Sequence, residues 1–325
     1  MTHPKQHHYV HESYLKQFVV NGEPLQVVDK WELGRVFPGS PGNILKEKGY
    51  FSQPLHEEQK MDFKLETFFS TIEGKWPELI QAIVAAHELS DEMYSDFLQC
   101  LIMLRVRVPN ARKAIEACLR HSVREAAELV DDPKLKDLID AGSIKISVDP
   151  HKSIGLMSQL AQTMGSMLGR MRSRSFLHNK TSTQFITSDN PVVIYQNSKN
   201  SDRPEPYLTA ENSDFSILFP LTPQIAFYYD SSEAKRLQHR TVRSPKTVQK
   251  MNSLIALFAD RFIVGSNSGA VDMFRNIANV CPIPDFARSI VMPDRIHQLS
   301  YANGSPVQMD GWKYEFQEKK SQFVI

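Results

Sequence analysis

The feature that most constrains the fold is a change in hydrophobic periodicity along the chain. Between about residues 56 and 171 the apolar side chains recur every three or four positions, which predicts a series of helices. On either side, short runs rich in β-branched and aromatic residues predict strands. The sequence therefore predicts an α+β fold, in which a β-rich scaffold from the N- and C-terminal segments carries an inserted helical block. Three divisions are predicted. Residues 1–55 are an N-terminal β-hairpin segment, residues 56–172 are the helical block, and residues 173–325 are a mixed β/α segment that packs with the N-terminal hairpin.

Turn residues indicate where the strands are joined. Asn21-Gly22 lies between two β-rich stretches and predicts an N-terminal hairpin, because glycine adopts positive φ without steric cost. The Pro- and Gly-rich residues 37–42 predict a loop. A polar turn at 179–182 predicts a second hairpin, between strands at 175–178 and 184–187. The remaining predicted elements are strands at 192–195, 214–220, 224–229, 262–264 and 312–316, and a helix at 244–260.

The composition limits which classes of protein the chain can belong to. Its 325 residues carry 38 Lys and Arg against 37 Asp and Glu, so the net charge of +1 draws it to neither nucleic acid nor anionic membranes. The first residues lack the apolar core of a secretory signal, and no apolar run approaches the about 20 residues of a membrane span. The three cysteines are too far apart for a zinc or redox motif. These features predict a cytoplasmic protein with reduced thiols.

A run of polar residues at a predicted strand end is the first candidate site. Asp189 and Asn190 stand between the apolar pairs Phe185-Ile186 and Val192-Val193. On a rigid sheet edge, the carboxylate can act as an acid, a base or a metal ligand, and the amide can orient a substrate. The alternative is an Asx turn, in which both side chains bind nearby backbone amides.

A pair of glutamates on a predicted helix is the second candidate. Glu66 and Glu73 are seven positions apart, and about 100° per residue places them on one face. Leu65 and Ile72 precede them, so this face adjoins the apolar stripe. Burial beside an arginine would poise Glu73 as a base or as a structural ion pair, and the alternative is a solvated helix flank.

Local concentrations of cations are the third candidate. Arg107 and Arg112 belong to a basic cluster with no acidic residue between Asp96 and Glu116. Guanidinium groups match the oxygens of phosphate, so these two arginines are predicted to bind phosphate, and nucleic acid is the partner expected from local basic patches. The alternative is that carboxylates from elsewhere in the chain balance them. No membrane partner is expected.

Several segments resemble a bacterial family known as domain of unknown function 4238. Its members open with a pattern like His-Tyr-Val-Pro followed by an aromatic residue, Leu and Phe. Here His8-Tyr9-Val10-His11 precedes Tyr14-Leu15 and Phe18, with His11 in the place of the family's Pro. The resemblance covers roughly Tyr9 to Val264. The other matching elements are Leu65-Glu66 with Ile72-Glu73, Arg107-Val108-Pro109 with Arg112, the run from Phe185 to Val192, Phe219 to Pro223, and Met251-Asn252 ahead of Ala259 to Phe262.

The resemblance implies no mechanism, because the family's name records that no function was assigned to it. It makes His8 a candidate site residue, since His8 begins the family-like pattern and precedes a predicted strand. The Gly-rich phosphate loop, the Gly-x-Ser-x-Gly elbow and the His-Glu-x-x-His motif do not occur in the sequence, which disfavours P-loop nucleotide hydrolysis, serine hydrolysis and zincin chemistry.

Two hypotheses about function follow. In the first, the chain is a nuclease-like phosphodiesterase in a defence or toxin setting. Its predicted catalytic residues are His8, Glu73, Asp189 and Asn190, its predicted phosphate-binding residues are Arg107 and Arg112, and a divalent ion such as Mg²⁺ is a possible cofactor. In the second, the chain is a non-enzymatic module that binds a ligand or partner, and the same polar residues only stabilise the fold.

Overall fold

The computed structural model contains two main β-sheets with helices packed between and around them. This arrangement confirms the predicted α+β fold. The tail strand predicted at 312–316 lies outside the described residues. The structure describes residues 6–32, 34–51, 53, 54, 61, 62, 64–116, 133, 134, 137, 156, 157, 160–162, 164–166, 168, 169, 171, 175–197, 204, 205, 215–230, 238–276, 280, 281, 287–291, 297–301, 317 and 318.

The chain begins with a short strand and a short helix. Strand β1 (Gln6–His8) leads to α1 (Glu12–Leu15) and a 3-10 helix (Lys16–Phe18). The hairpin predicted around Asn21-Gly22 is therefore wrong, although both residues adopt positive φ, at 54° and 74°. The reason is that the buried Tyr14 and Phe18 are four positions apart, and a helical turn directs both into the core.

A four-stranded antiparallel sheet joins the two ends of the chain. Its order is β3 (Arg35–Gly39), β2 (Leu25–Asp29), β14 (Phe262–Gly265) and β8 (Thr187–Ser188), and a 3-10 helix (Lys30–Glu32) separates β2 from β3. Residues 37–39 were predicted as loop but form part of β3. As an edge strand, β3 can contain Pro38 without breaking a central ladder.

The larger sheet contains six strands from the second half of the chain. Its order is β10 (Pro204–Glu205), β9 (Val193–Asn197), β11 (Ser216–Thr222), β12 (Ile225–Asp230), β7 (Ser175–Asn179) and β13 (Gln238–Val242). Among these described strands, only the β13–β7 pair is parallel. The strands predicted at 214–220 and 224–229 are confirmed as β11 and β12, which pair with each other. The hairpin predicted across 179–182 is wrong, because β7 pairs with β12 and β13 whereas β8 belongs to the other sheet.

Most described residues of the predicted helical block are helical from α2 (Lys64–Glu73) onward, whereas Met61–Asp62 near its predicted start form a strand. Ser90 caps α4 by accepting the backbone N–H of Met93 at 3.2 Å, and Pro77 lies in the first turn of α3. Cys100 of α4 is a buried free thiol. The helices are α2 (Lys64–Glu73), α3 (Trp76–Val84), α4 (Asp91–Val106), a helical stretch at 109–116, α5 (Pro245–Phe258) and α6 (Ser268–Val271).

Short strand pairs complete the described structure. These are β1 with β4 (Lys46–Lys48), β5 (Gln53–Pro54) with β6 (Met61–Asp62), β15 (Val280–Cys281) with β18 (Gln317–Glu318), and β16 (Ala287–Val291) with β17 (His297–Tyr301). A further 3-10 helix spans Asp272–Phe274. Within the described ranges, no helix combines the length and the apolar character that crossing a bilayer requires.

The six-stranded sheet separates two apolar clusters. On one face, Phe97 of α4 contacts the rings of Phe176, Phe219 and Phe227, with centroids 5.5, 6.3 and 5.1 Å away. On the other face, Leu218 belongs to a cluster that includes α5 and strands of the smaller sheet. Successive residues of each strand therefore point in turn to one cluster and then to the other.

Candidate functional site

The structure brings three of the predicted site residues into direct contact. Arg107, directly after α4, donates one guanidinium N–H to Glu73 at the end of α2 and another to the backbone carbonyl of His8 in β1. Its guanidinium also lies over the rings of Phe51 and Phe69, at 5.1 and 4.6 Å from their centroids. The side chain of Arg107 is 5% exposed and that of Glu73 is 27% exposed. Glu73 is thus partly buried beside an arginine.

His8 is the half-buried member of this group. It pairs with Lys46 across the β1–β4 register, which places the two side chains on the same face. Burial lowers the pKa of His8, and the cations Lys46 and Arg107 lower this pKa further, against the opposing effect of the carboxylates Glu12 and Glu73. The imidazole is therefore mostly neutral near pH 7, so one of its nitrogens is an acceptor.

The buried polar atoms in this region without a hydrogen-bond partner among the described residues include His8 Nε2, Arg107 Nε and Trp76 Nε1. They belong to one neighbourhood. Arg107 bonds to the His8 carbonyl, both residues act on the pKa of His11, and the His11 ring lies 5.5 Å from that of Trp76. We define these three side chains as the His8 cluster. An unsatisfied buried polar group costs about 1–3 kcal/mol, so a concentration of such groups indicates a place where another molecule binds.

Asp189 and Asn190 make a different set of contacts. The Asp189 carboxylate accepts the backbone N–H groups of residues 260, 261 and 262, at 2.8, 2.7 and 2.8 Å. Burial raises the pKa of Asp189 to about 7 and Asp260 adds to this, whereas the backbone amides and Lys30 lower it. Asn190 donates to the carbonyl of Phe258 at 3.0 Å and accepts from Arg105 at 3.4 Å.

The side-chain contacts described for Asp189 and Asn190 are not those of an Asx turn, because they reach the connection between α5 and β14 and Arg105 and do not fold back onto the local backbone. No bond in the described part of the chain joins Asp189 to the His8 cluster. Asp189 does lie near it, since its charge helps to raise the pKa of Tyr9, which follows His8. The catalytic role of Asp189 and Asn190 stays a prediction.

The other cations of the predicted basic cluster have partners inside the fold. Arg112 donates to Glu116 at 3.2 Å and its guanidinium lies 5.1 Å from the ring centroid of Tyr50. Lys113 pairs with Asp260 at 2.7 Å. Carboxylates therefore balance much of this basic segment, Glu116 from the same helical stretch and Asp260 from a distant part of the chain. The predicted phosphate-binding role of Arg112 stays a prediction.

The donor set does not fit a divalent metal ion. Among the described residues, no group of three His, Cys, Asp or Glu side chains is placed to hold one. Glu73 faces Arg107, and Asp189 binds three backbone amides, so the two predicted carboxylates do not form a cation site together.

Sequence reasoning missed Lys46 and Trp76 as members of the site. Lys46 reaches His8 through a strand pairing between positions 38 apart, and no local pattern signals that pairing. Trp76 lies on the apolar stripe of the helical block, and it is fully buried. A tryptophan in a core stripe is nonetheless a signal in itself, because its indole N–H needs an acceptor when buried.

Comparison with known proteins places the chain in a family without supplying a function. No curated protein and no solved structure matches the chain. One family model matches residues 6–269, which is most of the chain and includes every member of the His8 cluster. The chain therefore belongs to the family described as "Protein of unknown function (DUF4238)".

Proposed function

We propose that the chain is a nuclease-like hydrolase of phosphodiester bonds, with His8 as its general base. The observation that carries this proposal is the His8 cluster, with its three buried and unpartnered polar atoms. Arg107 Nε and Trp76 Nε1 can only donate hydrogen bonds, so the group that satisfies them must present acceptor oxygens. A phosphate group has such oxygens and a negative charge that suits the cations Arg107 and Lys46.

In the proposed reaction, the two donors hold the phosphate while neutral His8 removes a proton from the attacking hydroxyl or water. The attacking oxygen forms a new bond to phosphorus as the bond from phosphorus to the leaving nucleoside oxygen breaks. The leaving oxygen takes up a proton from solvent, and His8 returns its proton to solvent before the next cycle. Arg107 then stabilises the negative charge that develops on the phosphate oxygens. Glu73 positions Arg107 through their ion pair, and Arg107 in turn fixes the strand that carries His8. In this proposal Asp189 and Asn190 stabilise the scaffold and take no part in the reaction.

Nuclease activity is tested directly on the purified full chain. Labelled RNA and DNA are incubated with the wild type and with His8→Ala, in the presence of Mg²⁺, Mn²⁺ or a chelator. Because general base catalysis contributes about 10²–10⁴-fold, we expect His8→Ala to reduce the cleavage rate by at least about 100-fold. The wild-type rate should fall on the acid side, at a pH below the ordinary histidine value of about 6.5, since burial lowers the pKa of His8.

The matched control is His87→Ala, which removes an exposed histidine beyond the end of α3. This variant should cleave at the wild-type rate. The proposal fails if neither nucleic acid is cleaved under any of these conditions, or if His8→Ala cleaves as fast as His87→Ala does.

A non-enzymatic binding module is the second candidate function. It is favoured by the many predicted site residues that bind other parts of the chain, above all Asp189 with its three backbone amides. In that case the His8 cluster would bind a phosphate-bearing ligand without altering it. Inorganic pyrophosphate would then raise the melting temperature of the wild type, Trp76→Phe would abolish this rise, and no nucleic acid would be cleaved.

A further inference from the structure

An exposed basic surface lies on the side of the six-stranded sheet where β13 leads into α5. Residues 238–258 contain four Lys and Arg and no Asp or Glu. Arg243 follows β13, and Lys246 and Lys250 lie four positions apart at the start of α5, so they project from one face of the helix. All three side chains are exposed.

A fourth exposed cation extends this surface from the neighbouring strand. The backbone N–H of Lys180, which follows β7, donates to the carbonyl of Val242 at 2.9 Å, directly before Arg243. We call these four residues the β13–α5 basic surface: Lys180, Arg243, Lys246 and Lys250.

The charges of this surface are not used inside the described fold. None of its four side chains has an ion pair with a described carboxylate, in contrast to Arg107, Arg112 and Lys113. The first turn of α5 also contains no acidic residue, although acidic side chains are favoured at that end of a helix. On a chain with a net charge of only +1, these four cations are a local excess of positive charge among the described residues.

The chemistry of the surface favours nucleic acid over a membrane. Proteins that bind anionic bilayers through a basic face also insert apolar side chains into the lipid. In the described part of the chain, the exposed large apolar side chains are Phe68, Val84 and Met273, and none of them belongs to the β13–α5 basic surface. A cluster of exposed Lys and Arg without apolar neighbours of this kind suits the phosphates of a polynucleotide instead.

We propose that the β13–α5 basic surface binds the phosphate backbone of nucleic acid without regard to sequence. This proposal goes beyond the function proposed above, because the surface lies on different elements from the His8 cluster. It also holds independently of cleavage, since binding can be measured under conditions that prevent turnover. If the chain is a nuclease, this surface retains the polymer while the reaction takes place elsewhere.

The test is fluorescence anisotropy of labelled RNA and DNA, single- and double-stranded, with the full chain carrying His8→Ala in the presence of a chelator. Binding should weaken as KCl rises from about 50 to about 200 mM, because each phosphate contact releases counterions. Adding Arg243→Glu, Lys246→Glu and Lys250→Glu should weaken binding by at least about tenfold. It should also reduce the slope of log K against log salt by about 2–3, since three contacts are lost.

A matched control reverses three exposed cations elsewhere, Arg35→Glu, Lys48→Glu and Arg275→Glu, and so changes the net charge equally. This control should retain at least half of the wild-type affinity. Equal losses in the two triple variants would overturn the proposal, because net charge and not this surface would then determine binding. Absence of salt-dependent binding to all four probes would overturn it as well. Binding to vesicles of phosphatidylserine and phosphatidylcholine, but to none of the nucleic acids, would assign the surface to membranes.

The failure of this binding proposal can be distinguished from the failure of the proposed hydrolase function. Binding without cleavage would support the surface and refute the hydrolase. Cleavage that depends on His8, with no effect of the charge reversals on binding, would support the hydrolase and refute the proposed role of the β13–α5 basic surface.

Discussion

His11 is a buried histidine whose structural role requires it to be neutral. It occupies the N-cap of α1, where Nδ1 accepts the backbone N–H of Tyr14 at 3.0 Å. Burial lowers the pKa of His11 well below its ordinary value, and the charges of Arg107 and His8 lower it further. In the unfolded chain the same imidazole titrates near pH 6.5. Below that pH, the unfolded state therefore binds a proton that the folded state excludes.

We expect this difference to make the folded protein less stable as the pH falls below about 6.5, by up to about 1.4 kcal/mol per pH unit from this residue. His11→Asn retains a side-chain oxygen for the cap but removes the titration. The variant should therefore lose less of its free energy of unfolding than the wild type does between about pH 7.5 and pH 5.5. Urea unfolding at several pH values measures, for each protein, the slope of the free energy of unfolding against pH. His87→Asn is the control and should keep the wild-type slope, whereas equal slopes for wild type and His11→Asn would contradict the expectation.

At the scale of single residues, the sequence indicated which side chains to consider but not how they are bonded. His8, Glu73 and Arg107 were selected from the sequence, and the structure places them in contact. His11 was noted only as a departure from the family pattern, because histidine is not a usual N-cap residue. Whether a buried polar atom has a partner depends on packing between distant segments, so the unpartnered Nε1 of Trp76 could not be predicted.

The connection between α5 and β14 shows how charges act at the scale of an element. Lys30 is 2% exposed, and its Nζ donates to the carbonyls of Ala256, Leu257 and Ala259 at 3.0, 3.3 and 2.6 Å. These are the carbonyls that the end of a helix leaves without partners. Asp189 binds the backbone amides that follow directly. A buried cation and a buried anion thus satisfy the two kinds of backbone group that this chain reversal exposes.

Because of these bonds, we expect Asp189→Asn to destabilise the fold. The amide would present an NH₂ group to backbone N–H donors where the carboxylate now presents an oxygen, which should lower the free energy of unfolding by about 1–3 kcal/mol. Asp272→Asn is the control, since this carboxylate is half exposed, at 48%, and should change stability by less than about 0.5 kcal/mol. Urea unfolding measures both. A variant that loses cleavage but melts like the wild type would instead show that Asp189 takes part in the reaction.

The elements themselves were largely predictable, whereas their pairing was not. Helices α3, α4 and α5 follow from apolar spacing and capping residues, and the strands from short apolar runs. The two wrong hairpins share one cause, which is that turn residues were assumed to join adjacent strands. After the turn that follows Asn179, the buried Phe185 and Ile186 carry the chain into the second apolar cluster, so β8 pairs with β14 from much further along the chain.

At the scale of the whole molecule, one apolar cluster connects all three predicted divisions of the chain. Phe18, Trp76 and Phe219 come from the first, second and third divisions and belong to the same cluster. Tyr14 adds polar links, since its hydroxyl bonds to Thr187 Oγ1 at 2.6 Å and to the carbonyl of Pro220 at 2.8 Å. The inserted helical block is therefore required to cover one face of the six-stranded sheet. This is also why the His8 cluster, which draws on the first two divisions, could not be assembled from the sequence alone.

A shared core predicts that the full chain unfolds in one cooperative transition. Phe97→Leu tests this, because Phe97 lies in the helical block but contacts three aromatic rings of the six-stranded sheet. Losing these contacts should cost about 1–3 kcal/mol. In urea, far-UV circular dichroism and tryptophan fluorescence should report the same midpoint for the wild type and an equally lowered midpoint for the variant. Phe68→Ala, which removes a side chain that is 51% exposed, should leave the midpoint nearly unchanged. Two separate transitions, with only one of them shifted by Phe97→Leu, would show instead that the helical block folds independently of the sheet that it covers.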